Sequence, residues 1–212
     1  MYTLAARWHR LTAPLVPDAA PRELAYQALA SAYQASGRHY HTLQHIENLL
    51  NRLERAPLHD APVVQLAVWF HDAVYNPLRS DNEARSAVQA RAFLATSALE
   101  PAQQQRVAFL IERTHDHTLP QPSDDSDLLY FLDADLSILG ASEADYWAYA
   151  RQVRQEYRLV PDLLYRPGRQ KILAKMLAAP VLYHTPAMRQ ELDAAARRNL
   201  QAELHAWERG GL

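Results

Sequence analysis

His71 and Asp72 stand near the end of AVWFHDAVY, a segment that is otherwise almost wholly apolar. Burying an imidazole and a carboxylate there is unfavourable unless something pairs with them. A metal ion is one good partner, because it takes an imidazole lone pair and a carboxylate together. A capped helix end with a satisfied His and Asp is the plain alternative, and this segment alone does not choose between them. Upstream, His41 and His45 are four residues apart, a spacing that places both on one face of a helix. Downstream, Asp133 and Asp135 are the only charges in FLDADLSILG. Successive helix positions turn by about 100°, so only one of the two aspartates can face a shared site. Together the three features are harder to explain as packing than as a site.

The elements that must position these residues read as helices. Strand-like alternation is nearly absent, and prolines punctuate a chain that has only five glycines. The spacing predicts helices over 22–35, 42–53 and 62–75. The second carries Leu43, Ile46, Leu49, Leu50 and Leu53 on one stripe. The third is apolar nearly all round, as a buried central helix would be. Ser80 and Glu83 form a capping-box pattern that opens a helix running to about Thr96. Pro101 suits a first helical position, and Val107, Leu110, Ile111 and Thr114 keep the period after it. Further helices are predicted over 127–139, stopping at Gly140, then over 142–158, 168–178 and 186–208. The expected fold is all-α, a compact multi-helix bundle forming a single domain over residues 1–212.

The order His…His-Asp…Asp on helices resembles the HD superfamily of metal-dependent phosphohydrolases. RHYHTLQHI, WFHDAVY, DNEARSA and LDADLSILG, with the later RQEY, GR and ARRNL segments, are similar to a family of small bacterial HD-domain proteins described as predicted phosphohydrolases. Tyr40 to His45 and Asp135-Leu136-Ser137 also resemble motifs of cyclic-nucleotide phosphodiesterases, although Thr42 stands where those enzymes carry Asn. The resemblance implies a divalent metal held by His45, His71, Asp72 and Asp135, with His41 as general acid. It leaves open which of His41 and His45 is the first ligand. Two imidazoles and two carboxylates suit one or two ions of Mn, Fe, Co, Ni, Zn or Mg. Asp72 has a second oxygen with which to bridge two ions. Metal-activated water would then attack a phosphate ester, with His41 protonating the leaving oxygen.

Other candidates each carry a plainer reading. Glu83 could order the water or support a second metal, or simply complete the cap with Ser80. His117 continues the stripe of Val107, Leu110 and Thr114, which directs it inward toward a metal or phosphate, whereas His115 lies on a neighbouring face. Arg38, Arg154 and Arg169 could hold a phosphate through forked hydrogen bonds, or be solvated side chains. Tyr146, Trp147 and Tyr149 read as packing.

Composition bounds the partners. Lys plus Arg number 22 against 24 Asp plus Glu, which gives no reason to expect a nucleic-acid polymer. There is no cysteine, so thiolate ligands and a Cys nucleophile are excluded. No apolar run approaches the length of a membrane span, and Arg7, His9 and Arg10 interrupt any signal-peptide pattern. The expectation is a cytoplasmic enzyme, by base rate a homodimer, acting on a small phosphorylated substrate. A non-catalytic regulatory module that binds a nucleotide or metal and a di-iron oxygenase are the rival readings.

Overall fold

In the computed structural model, which describes residues 2–211, the apolar run after Asp60 forms α4 (Ala61–Phe70). Val63, Val64, Leu66, Ala67, Val68, Trp69 and Phe70 are all buried, so this helix has no solvent face over its second half. Asp60 caps it by accepting from the Val63 N–H, and Pro62 occupies a first-turn position where its missing N–H costs nothing. Among the described residues there are ten α-helices, one 3-10 helix and no strand. None of those helices is long and apolar enough to cross a membrane.

The chain divides into two compact units, one ending at His115 and one beginning at Asp116. In the first, α4 packs against α3 (Leu43–Leu53), α5 (Asn82–Leu94) and α6 (Pro101–Arg113). Two earlier helices, α1 (Leu4–Thr12) and α2 (Ala19–Tyr33), pack on each other. Trp8 of α1 is fully buried, with its ring 5.4 Å from Trp69, 6.0 Å from Phe70 and 5.2 Å from Phe93. Removing such a ring costs about 3–5 kcal/mol, so Trp8 anchors the end of α4 next to His71. The sequence reading places no helix over α1; Thr3, which accepts from the Ala6 N–H, is the cap that marks its start.

The second unit holds α7 (Ser126–Asp135), a 3-10 helix (Leu136–Gly140), α8 (Glu143–Glu156), α9 (Asp162–Ala178) and α10 (Pro186–Arg209). Its core gathers Leu139, Tyr146, Leu173, Tyr183, Ala196 and Leu200. Asn199 on α10 donates to the carbonyls of Leu139 (2.8 Å) and Ala141 (3.1 Å), satisfying the end of the 3-10 helix. Gly140 is there for close approach rather than for a left-handed cap. Its φ is not positive, and a Cβ on it would lie 2.6 Å from Cβ of Leu192.

Several predicted boundaries shift. The helix predicted over 62–75 ends at Phe70, and that predicted from 168 begins at Asp162 and carries Pro167 inside it. The Ser80–Glu83 capping box does not form, because α5 starts at Asn82 with Asp81 at its N-cap position.

Candidate metal centre

Thr42 starts α3 by accepting from the Gln44 N–H, and this sets His45 in the first turn of the helix. His71 is the C-cap of α4, its N–H donating to Ala67 O at 2.9 Å, with Asp72 following in the turn. The two element ends bring three ligand atoms together. His45 Nε2 and His71 Nε2 are 3.3 Å apart. Asp72 Oδ2 lies 3.1 Å from His71 Nε2 and 3.8 Å from His45 Nε2. The two imidazoles are almost wholly buried, at 3 % and 1 % exposure. Among the described residues this is the one group of three such side chains that could hold a metal ion.

The second nitrogen of His71 decides what faces the cluster. Nδ1 lies 2.9 Å from the carbonyl oxygen of Val68 and must carry a proton to donate to it. In the neutral imidazole Nε2 then presents a lone pair toward Asp72 Oδ2, itself an acceptor. A cation resolves that convergence, either a proton or a metal ion. The distances admit a metal: the circle through the three ligand atoms has a radius of about 2.0 Å, the length of a bond from a first-row divalent ion to an imidazole nitrogen or carboxylate oxygen. Without a metal, burial pushes the Asp72 carboxyl up, but protonated His71, His41 and His45 and a hydrogen bond from His71 would outweigh it and hold the group below the usual carboxylate range. A metal ion would take the place of those protons beside an anionic Asp72.

His41 is not on α3, contrary to its predicted placement. It precedes the N-cap Thr42, whose backbone is extended (φ −117°, ψ 179°). Its ring stacks on Tyr75 at 4.2 Å and 29°, and its centroid is 5.9 Å from that of His45. Of the two upstream histidines, His45 supplies the third ligand atom and His41 stands beside the cluster. Arg38 donates to the carbonyls of His41, Asp72 and Ala73. Glu83 meets exposed His115 at 3.1 Å instead of its expected partner Ser80.

The remaining candidates lie in the second unit. Asp133 and Asp135 diverge as the helical rotation requires. Asp133 is fully buried and accepts from the N–H groups of His184 and Thr185 and from Thr185 Oγ1, each at 2.7 Å, which ties the segment before α10 to α7. Burial keeps its carboxyl above the ordinary range despite those bonds. Asp135 instead meets His117, with Oδ2 3.1 Å from Nε2. His117 is half-buried and lies beyond the end of α6 at Arg113, and its buried Nδ1 has no hydrogen-bond partner. Arg169 is bound through Nε and Nη2 to the two oxygens of buried Glu203, at 2.7 and 2.8 Å. Arg154 donates to Asp162 and to the carbonyls of Tyr157 and Val160, closing the loop between α8 and α9. These geometries tie both guanidiniums into the second unit's own framework.

Sequence reasoning missed Val68 O, Tyr75 and the backbone bonds of Arg38. Only Tyr75 left a signal, lying four residues after His71 in the same quoted segment. Comparison of the chain with family models, curated proteins and solved structures returns no match.

Proposed function

We propose that the chain is a metal-dependent phosphohydrolase of the HD type, acting on a small phosphate ester or nucleotide. The observation that carries the proposal is the convergence of His45 Nε2, His71 Nε2 and Asp72 Oδ2 within 3.8 Å of one another, with Val68 fixing the tautomer of His71. Those three residues would hold the divalent ion. Asp135, which the sequence resemblance alone names as a fourth ligand, meets His117 within its own unit. A divalent ion held there would lower the pKa of a bound water toward about 7 and would neutralise charge on a phosphate.

The chain's own residues supply the rest. In this reading His41, which interacts electrostatically with Asp72 and stacks on Tyr75, gives a proton to a leaving oxygen. Its partial exposure gives that proton a route of exchange with solvent. Tyr40 packs its ring on that of His45, centroids 4.9 Å apart, beside the cluster.

The test is release of phosphate or nucleoside from a panel of phosphomonoesters, cyclic nucleotides and nucleoside triphosphates, with Mn, Co, Ni, Zn or Mg added. Wild-type turnover that vanishes in Asp72→Ala and falls about 10²–10⁴-fold in His41→Gln supports the reading. A metal-loaded protein that leaves the whole panel intact would refute it.

A further inference from the structure

We infer that Arg38 is a positioning residue that fixes the loop carrying His41 against the turn carrying His71 and Asp72, and so presets the cluster; this rests on the reading of His45, His71 and Asp72 as a metal centre. Arg38 Nη1 donates to Asp72 O at 2.6 Å and to His41 O at 3.2 Å, while Nη2 donates to Ala73 O at 3.0 Å. One guanidinium thus spans two segments more than thirty residues apart in the chain.

The bonds to Asp72 and His41 reach their backbones and leave the side chains alone. Arg38 holds Asp72 by its carbonyl, which leaves carboxylate Oδ2 to face His45 and His71. The guanidinium also takes up carbonyls just beyond the C-terminus of α4, where a cation is favoured and where unmet acceptors would otherwise be left. A flat face completes the clamp. The Arg38 guanidinium carbon is 4.9 Å from the ring of Tyr33 and 5.4 Å from that of Tyr75. Tyr33 is itself pinned, fully buried with its hydroxyl donating to Trp69 O at 3.0 Å. Tyr75 carries the arrangement on to the His41 ring. Lysine could not replace this: an ammonium is a point charge without the fork or the stacking plane.

The experiment compares wild type with Arg38→Met, Arg38→Lys and Tyr75→Leu. Far-UV circular dichroism checks folding, competition against a chromophoric chelator reads Zn(II) and Mn(II) affinity, and imidazole ¹H–¹⁵N spectra of the metal-free proteins read the histidines directly. Both Arg38 variants are expected to bind metal about 10–100-fold more weakly and to shift the His41 and His71 signals. Tyr75→Leu leaves the carbonyl bonds in place, so it should move the His41 signal with a smaller loss of affinity, and it stands in if the Arg38 variants fail to fold. A purely structural role would lower the melting temperature while the folded variants kept wild-type affinity and histidine spectra, and that result would overturn the inference. If wild type itself binds no metal, the metal reading fails instead; changed imidazole signals in Arg38→Met would then still support the clamp, and unchanged ones would overturn it.

Discussion

The Nδ1 of His71 lies 2.9 Å from the carbonyl oxygen of Val68, one turn back in the same helix. That single bond assigns the proton of the ring and turns the Nε2 lone pair toward Asp72 and His45. Replacing His71 by Ala should therefore abolish tight divalent-metal binding, whereas Val68→Ala should leave the ligand set intact. Val68→Ala keeps the carbonyl and only trims a buried side chain, at a cost of about 1–3 kcal/mol in stability. Isothermal titration with Zn(II) or Mn(II), alongside thermal melts, separates the two outcomes.

Metal should also stabilise the fold. A ligand that binds only the native state adds about 2.7 kcal/mol at a hundredfold excess over its Kd, which for a chain of this size raises the melting temperature by several degrees. Scanning calorimetry with metal and then with EDTA should show that shift and its reversal in wild type, and neither in Asp72→Ala.

Glu203 is the strongest stability determinant expected in the second unit. It is fully buried and takes hydrogen bonds from Arg169, Tyr146 (2.6 Å) and Trp207 (3.0 Å). Burial pushes its carboxyl up, but the Arg169 bond and charge, with Tyr146 and Trp207, bring it below the ordinary value of 4.5. A lowered folded pKa means that this stabilisation is complete above the unfolded value and disappears as the pH falls through the folded one. Glu203→Gln should destabilise by about 3–5 kcal/mol at neutral pH, because it strands the Arg169 charge. It should also flatten the loss of stability below pH 4.5, as read by urea melts across that range.

Gly140→Ala should destabilise the second unit by about 1–3 kcal/mol, since the new methyl would meet Cβ of Leu192 at 2.6 Å and its carbonyl oxygen at 2.9 Å. A melting temperature equal to wild type would show that α10 can move away from the 3-10 helix.

The all-helical architecture and the central helix were legible because the apolar spacing of 43–53 and the continuous apolar run before His71 admit few other structures. The convergence of His45, His71 and Asp72 was legible in residue types, since polar groups on apolar elements need a partner. What remained hidden depended on the backbone. His41 leaves the helix because Thr42 takes the capping position, and periodicity alone does not resolve a helix start to one residue. Arg38, Arg154 and Arg169 look alike in sequence, yet Arg38 and Arg154 bind main-chain carbonyls and Arg169 a buried glutamate. Carbonyl acceptors leave no trace in residue identity. Gly140 was readable as a helix stop, but its reason lies in Leu192, far along the chain.

The most direct test is the metal content of the purified protein after reconstitution and desalting, measured by inductively coupled plasma mass spectrometry for wild type, His45→Ala, His71→Ala and Asp72→Ala. The expected result is at least one tightly held divalent ion per wild-type chain and its loss from each variant. Wild type retaining no stoichiometric metal, or folded variants retaining as much as wild type, would contradict the assignment of His45, His71 and Asp72 as a metal centre.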